Sequence, residues 1–582
     1  MKNFLKNILT TIIGIISSII IMILLIIGFV AILSSEDEVK LRENSILKID
    51  LANTSVVERS SENPLNGLSF SGDIASTIEL KEVLDNIEKA KNDNKIKAIY
   101  LNTSFPNAGL SQIEEIRNKL VEFKSCGKPI IAYSEVYSQS GYYFSSVADK
   151  IYLNPEGIVE LKGFSAGIMF YKELLEKLDI EVQIIRHGKF KSAVEPFILD
   201  KMSDANREQM QLLLNSFADN LFDSIASQRG MTLSDIHYHA NNLSLENAKN
   251  CLDLHYVDAL LYQDQVDDSL LVISKSEKLN FISLSKYSNV KVEKKEISRN
   301  KIAIIYATGE INSGKGDVKS IGSETTAKAI KTAREDKNVK AIVLRVNSPG
   351  GSALASDVIW RETILAKEVK PLIVSMGDYA ASGGYYIACA ADSIVANPTT
   401  LTGSIGVFGM IPNLQKLYKN KLGISIDTVN TNKHADMGMN RALTKFEEDK
   451  IQKSIVDIYT TFITHVGEGR NMSTTAVDEI GQGRVWTGYD AKDIGLIDTY
   501  GGLEKAVEIA VYLAEIDDYR IISLPRKKDP FTELALKFGG ETSISDLVML
   551  KLGLKTELTN PIENLIKRDK IQARVPFIMK LK

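Results

Sequence analysis

Several residue types that often betray a function are scarce here. The three cysteines, Cys126, Cys251 and Cys389, are odd in number and far apart. They offer neither a disulfide framework nor a zinc-ligand spacing. The six histidines, at positions 187, 237, 239, 255, 434 and 465, include none in a recognisable triad segment. His237 and His239 suggest a metal, but no third ligand accompanies them, so no metal or other cofactor is called for. An excess of positive charge is missing too. With 70 Lys and Arg against 74 Asp and Glu, the net charge is −4, which gives no reason to expect a nucleic-acid partner.

What remains is ordinary globular material, 44% hydrophobic and 25% charged. At 582 residues the chain is too long for one core and implies two or more domains. Its amino end is distinctive. Ile12 to Leu33 carries no charge, is rich in Ile and Leu, and has the length that spans a bilayer. Lys2 and Lys6 precede the run, and Glu36, Asp37 and Glu38 follow it. That asymmetry keeps the amino end in the cytoplasm and puts everything after Leu33 outside the cytoplasmic membrane. A cleaved signal peptide is the competing reading. Against it, the apolar run is longer than a usual signal core and no small-x-small site follows.

Beyond this, the chain repeats itself. KIKAIYL (Lys95–Leu101) matches NVKAIVL (Asn338–Leu344), and KPIIAY (Lys128–Tyr133) matches KPLIVS (Lys370–Ser375). GYYFSSVADKIYLNP (Gly141–Pro155) matches GYYIACAADSIVANP (Gly384–Pro398). Ala98 and Ala341 lie 243 residues apart, as do Ala148 and Ala391. So long a period means two copies of one domain, not a solenoid of short units. Each copy alternates short apolar strands with helical stretches, an α/β pattern with crossover connections. A strong helix is expected after each strand-rich half, from Met202 to Ala226 with a cap at Ser203, and from Leu443 to Val466. The expected organisation is a cytoplasmic N-terminus (1–11), an anchor (12–33), a linker (34–75), a first repeat (76–290), a second repeat (298–525) and a C-terminal extension (526–582). The extension has amphipathic patches and a basic end, suited to a membrane, a neighbouring subunit or a packed cap.

The most informative stretch is GDYAASGGYYIA, Gly377 to Ala388. PLIVSM before it reads as a buried strand and the residues after it as a packed helix, which places Ser382 on the turn. Small neighbours there let another backbone approach. By itself this reads first as a serine N-cap beside a tight turn. A hydroxyl becomes a nucleophile when a base takes its proton and donors stabilise the oxyanion. RVNSPGGSALASDV (Arg345–Val358) offers the donors: Gly350 and Gly351 are expected to open a helix, and the Gly351 and Gly383 N–H groups together would make an oxyanion hole. With no histidine in place, a lysine can serve as base if burial lowers its pKa enough for the amine to accept a proton, although loop lysines taken alone read as solvated. HGKFKSAVEPF (His187–Phe197) holds two candidates, Lys189 and Lys191.

GKFKSAVEPF, NSPGGSA, GDYAASGGYYIA and NPTTLTGSIGVFG, in that order, resemble the long form of signal peptide peptidase A (protease IV), a family of membrane-anchored serine proteases with a Ser/Lys dyad. The likeness runs from about Ile46 to about Leu524 and includes the anchor. It implies Ser382 as nucleophile, Lys191 as general base and Ser404 as the group that orients the lysine. It also implies an α/β fold of two tandem Clp/crotonase-like (spiral ββα) domains behind a single N-terminal transmembrane helix. Remnant signal peptides would be the substrates, and a bowl-like homotetramer on the membrane the assembly. The repeat adds an argument of its own. The 243-residue offset takes Lys191 to His434, and Gly350 and Gly351 back to Asn107 and Ala108; Ser382 falls on Gln139 or Ser140, with Gln139 preferred. Each copy lacks what the other keeps, so a single site is expected across the two. His434 is the alternative base. A crotonase-like acyl-CoA enzyme and an inactive peptide-binding scaffold are the alternative functions.

Overall fold

The computed structural model describes residues 10–15, 17–18, 21–22, 39–60, 76–291, 298–527 and 571–575. The first repeat is built on a parallel sheet ordered Ala259–Leu260, Lys150–Val159, Ile130–Tyr137, Ile96–Leu101, Ser45–Ile49, Phe281–Ser283. Its strands are apolar on both faces because both are covered, as a parallel sheet with crossover helices requires. Leu47, Ile49, Ile99, Leu101 and Ala132 point into one core with the helices Leu80–Asn92 and Leu110–Phe123. Their alternate neighbours Ile46, Ala98, Tyr100, Ile131 and Tyr133 pack on the other face against Val266 and Leu270 of Gln263–Ser274. Period-two alternation divides one strand between two cores.

The second repeat copies this plan. Its sheet runs Val485–Thr487, Leu401–Gly403, Leu372–Ala381, Val339–Ser348, Lys301–Thr308, Arg520–Leu524, with the first pair antiparallel. Ala303, Ile305, Ile342 and Leu344 face one core, and Ile302, Ile304, Ala341 and Val343 face Leu503–Leu513. Helices Ser323–Glu335 and Ala353–Lys367 stand 243 residues after their first-repeat counterparts. The two long helices expected from the sequence are Asp204–Arg229, capped by the Ser203 hydroxyl, and Lys445–Arg470, capped by Thr444.

A third sheet stitches the chain together. Its order is Ser320–Gly322, Glu310–Asn312, Gly350–Ser352, Ile571–Arg574, Val407–Asn413, Glu181–His187. Glu181–His187 comes from the first repeat and pairs antiparallel with Val407–Asn413 of the second, His187 opposite Val407. A buried ion cluster adds to the junction. Arg345 bonds Glu58 through Nε at 2.8 Å and Glu115 through Nη2 at 2.7 Å, and the second Glu115 oxygen accepts from Leu503 N at 2.8 Å.

Two expectations change, and a third falls largely outside the described residues. Ser45–Ile49, inside the stretch read as a linker, is a strand of the first sheet, and Glu58 is buried at the junction. Gly350 and Gly351 do not open a helix: they form a short strand with Ser352, whose hydroxyl caps the helix starting at Ala353. The anchor at 12–33 lies largely outside the described residues, among which no helix is long and apolar enough to cross a membrane.

Candidate active site

Strand Leu372–Ala381 ends at Ser382, which precedes the short helix Gly383–Tyr386. Ser382 has φ +56° and ψ −114°, a conformation that a residue with a Cβ rarely adopts. Surrounding bonds hold it there: its N–H donates to the Gly403 carbonyl at 2.7 Å, and its own carbonyl accepts from Tyr386 N at 2.8 Å. Such over-determined strain is typical of functional turns. The N-cap reading does not account for Ser382, because its side chain makes no capping bond. Its hydroxyl lies 2.9 Å from the Nζ of Lys191.

Lys191 reaches that position because the strand Glu181–His187 carries it into the second repeat. The chain turns at Gly188, φ +104°, and Phe190 N bonds the Gln482 carbonyl at 2.9 Å. The amine lies 3.0 Å from Ser404 Oγ and donates to the Ser404 carbonyl at 3.1 Å. Lys191, Ser382 and Ser404 are all fully buried. Burial pushes the Lys191 amine well below the usual lysine range, because removing water penalises the ammonium and not the neutral amine. A neutral amine beside a hydroxyl can act as a proton acceptor.

The surroundings explain the motif letters. Glu195, the glutamate of K-S-A-V-E-P-F, is buried and accepts from Ser203 Oγ at 2.6 Å and Asn206 Nδ2 at 2.9 Å, tying the lysine loop to the helix Asp204–Arg229. Asp378, in the segment that ends in Ser382, accepts from Ser111 N at 2.9 Å at the start of a first-repeat helix. Burial raises its carboxyl to about 6. Gly483 presses directly on Lys191: a Cβ there would come 2.7 Å from the Cβ and the N of the lysine. Gly406 approaches the same stem, 3.3 Å from Cδ to its own would-be Cβ. Sequence reasoning passed over Gly483 and Gly406. Gly406 stands in the NPTTLTGSIGVFG motif, and for Gly483 the available signal was the pair of glycines in G-Q-G-R, Gly481 to Arg484.

Of the two glycines in S-P-G-G, Gly350 donates its N–H to Ser348 Oγ at 3.1 Å. The N of Gly351 lies 3.2 Å from where a Cβ on Gly383 would stand. Gly351 N and Gly383 are therefore close neighbours. Met210, Leu213, Phe217, Leu401 and Val485 form a buried apolar cluster with Ala381, the residue before Ser382.

The other candidates lie elsewhere. Lys189 is exposed, its Nζ 5.2 Å from the centre of the Phe190 ring. His434 pairs with Glu447 at 2.8 Å, and Glu447 also binds Arg441. His237 bonds Asp219 at 2.8 Å and His239 bonds the Tyr256 hydroxyl at 3.1 Å. Among the described residues no three His, Cys, Asp or Glu side chains are grouped to hold a metal. Gln139 opens the first-repeat helix that corresponds to Gly383–Tyr386, and its amide oxygen accepts from Gly163 N at 2.8 Å.

Residues 122–275 and 364–517 each match the model of Peptidase family S49. The chain belongs to that family. Protease 4 of Salmonella typhi is 38% identical over 82% of this chain and 79% of its own length. The chloroplastic serine protease SPPA of Arabidopsis thaliana is 34% identical over 87% of this chain and 75% of its own. Protease 4 of Haemophilus influenzae is 38% identical over 74% and 72%. A ClpP1 mutant from Listeria monocytogenes aligns over 35% of this chain and 94% of its own at 16% identity, with a TM-score of 0.24, which carries no argument about fold. This member of family S49 is thus a serine protease, and the acyl-CoA and scaffold readings are set aside.

Proposed function

We propose that Ser382 is the nucleophile, Lys191 the general base, Ser404 the group that orients the lysine, and Gly351 and Gly383 the oxyanion donors. The observation that carries this reading is the 2.9 Å contact between a wholly buried amine and the hydroxyl of a strained serine. In the proposed reaction Lys191 Nζ takes the Ser382 proton as Oγ attacks a peptide carbonyl. The oxyanion forms against the Gly351 and Gly383 N–H groups. Lys191 then returns its proton to the leaving amine, and a water admitted after that hydrolyses the acyl-enzyme with the same base.

Activity should rise with pH as Lys191 loses its proton. Burial lowers the lysine pKa, so the limb should fall well below the ordinary value of about 10.4. A kcat/KM profile of the purified enzyme checks this; a limb at the ordinary lysine value would remove Lys191 from the role of base.

The substrates we assign are remnant signal peptides and other apolar membrane peptides. The buried apolar cluster beside Ser382 would suit such chains, and the uncharged run from Ile12 to Leu33 would hold the enzyme on the cytoplasmic membrane with both repeats outside the cytoplasm, as two spiral ββα domains. Turnover of apolar fluorogenic peptides in detergent, compared with charged peptides of equal length, tests this preference.

A homotetramer is the assembly we assign. In the first repeat, Glu181–His187 is a paired strand. The matching stretch of the second repeat is unpaired and exposes Leu422, Ile424, Ile426 and Val429. A second copy would cover them. Val429→Asp should convert the tetramer to smaller species in sedimentation velocity, whereas an unchanged tetramer would move the interface elsewhere.

A further inference from the structure

The two repeats differ at one edge of their sheets. In the first, the edge strand Phe281–Ser283 runs straight into a short helix, Leu284–Ser288. That helix plugs the groove between the strand and the helix Leu80–Asn92, with Leu284 and Tyr287 buried. Asn86 Nδ2 donates to the Leu284 carbonyl at 3.2 Å, and Lys89 Nζ to the Tyr287 carbonyl at 2.7 Å. At the bottom of the groove the Tyr287 hydroxyl donates to Asp93 Oδ2 at 2.9 Å.

The second repeat has the groove without the plug. Phe281 pairs with Ile46 and Ile521 with Ile302, and those partners face Ala98 and Ala341, which hold matching places in the two repeats. Leu524 therefore stands where Leu284 does. Beyond it the chain turns towards the first repeat: the Pro525 carbonyl accepts from Arg59 Nη2 at 3.2 Å, and Lys527 pairs with Glu79 at 3.0 Å. A groove of about 750 Å³ remains between Ser323–Glu335 and Arg520–Leu524. Ala329, Ala333, Val339 and Ile522 give it an apolar lining. Ala329 and Thr332 stand 243 residues after Asn86 and Lys89, so the side chains that grip the plug's carbonyls in the first repeat are missing here.

Charge decides what the groove would accept. Asp336, the counterpart of Asp93, bonds Lys301 Nζ at 2.8 Å, so an ammonium stands where the first repeat has a hydroxyl. Lys315, Lys328, Arg520 and Arg526 also line the groove. Among the described residues none of these four pairs with a carboxylate, and Glu324 is the single unpaired acid beside them. We propose that this groove docks an acidic segment of a partner protein, which enters as one helical turn carrying leucine and an aromatic residue three positions apart. The spacing is that of the plug, Leu284 and Tyr287, and the acidity answers the four free cations. Insertion of an amphipathic turn into an apolar groove is a recurring mode of peptide recognition. Opposite charge around the rim sets partner choice and speeds association. None of the lining residues belongs to the Ser382–Lys191 site, so the inference stands apart from the dyad.

Fluorescence anisotropy on the full-length enzyme in detergent tests this. The probe is fluorescein-labelled Ser-Leu-Glu-Glu-Tyr-Glu-Asn, the sequence of residues 283–289 with glutamate in place of Ser285, Lys286 and Ser288. Every protein in the series carries Ser382→Ala, so that the probe is not consumed. The unaltered groove should bind it saturably, and exchanging its tyrosine for alanine should weaken binding about 10-fold. Thr332→Trp, at an exposed position of the groove wall, should cost a similar factor, and Thr332→Ser nothing. Lys328→Glu combined with Arg526→Glu should weaken binding about 10-fold, and a probe with lysines in place of its glutamates should recover it on that double variant. No binding to the unaltered groove, or equal binding by Thr332→Trp, overturns the proposal. So does binding of phosphatidylglycerol vesicles instead of the peptide, abolished by Thr332→Trp, since the groove would then be a lipid site. Self-association that Thr332→Trp abolishes in sedimentation velocity overturns it as well, the occupant then being a second copy of the chain.

Discussion

Lys191→Met should abolish peptide turnover, lowering kcat/KM by about 10⁴-fold, while the protein folds at least as stably as wild type at neutral pH. The two effects have one cause. Lys191 is fully buried and burial holds its amine well below the usual lysine range. Between the lowered pKa and the ordinary one, the folded protein carries a neutral lysine and the unfolded chain a charged one. The unfolded state then binds more protons, so stability rises with pH across that window and falls as pH drops through the lowered value. Methionine fills the same channel without that proton cost. The mutant should therefore be the more stable protein at pH 7, and the difference should shrink as pH approaches the ordinary lysine pKa. Thermal unfolding at a series of pH values, beside steady-state kinetics, reads both. Ser382→Ala should lose a comparable factor, and the double mutant little more than either, because groups that act as a unit are not additive. A Lys191→Met enzyme with near-normal turnover would sink the dyad.

Gly483→Ala should be the most damaging substitution among residues that touch no substrate, with a loss of about 10²-fold in kcat/KM. Gly483 has φ +85°, and the added Cβ would stand 2.7 Å from the Cβ and the N of Lys191 and 2.8 Å from its Cα. Neither chain can yield cheaply. Lys191 is pinned through Phe190 N to the Gln482 carbonyl, and Gly483 N through a 2.6 Å bond to Ile405. The displacement therefore passes to Nζ, whose contacts with Ser382 and Ser404 are 2.9 and 3.0 Å. Some stability should be lost as well, about 1–3 kcal/mol for an alanine forced into this conformation. The informative measurement is activity on enzyme shown by near-UV circular dichroism to be folded. Full activity in a folded Gly483→Ala enzyme would mean that the position of Lys191 is not critical.

How much of this was legible in advance differed from element to element. Ser382 drew attention because A-S-G-G puts small neighbours on a strand-to-helix turn, but alone that stretch read as an N-cap, and the nucleophile reading came from S-P-G-G and the family likeness. The α/β plan was equally legible: alternating cores on one strand leave a continuous apolar run such as AIVL, and the repeat doubled the signal. Lys191 was a weaker case. From the residues alone Lys189 stood level with it, and the choice came from the likeness of K-S-A-V-E-P-F to a known motif. Composition is silent on which lysine is buried, since that depends on what packs over it. The glycines of S-P-G-G were found, but their secondary structure was misjudged: their partner strands, Glu310–Asn312 and Ile571–Arg574, are remote in sequence. Without those partners the local pattern resembles a helix start.

The sequence by itself determined that the chain holds two copies of one α/β domain and that the K-S-A-V-E-P-F and A-S-G-G stretches stand in different copies. Those are local or periodic properties, written in spacing and residue size. The tertiary structure alone decided that a strand from the first repeat docks on the second and brings Lys191 to Ser382, that Gly483 and Gly406 wall the lysine in, and that the chain's own residues 571–574 pair with Gly350–Ser352. Each depends on contacts between segments distant along the chain. Backbone bonding and the exclusion of water choose those contacts, and neither leaves a pattern in any short stretch of residues.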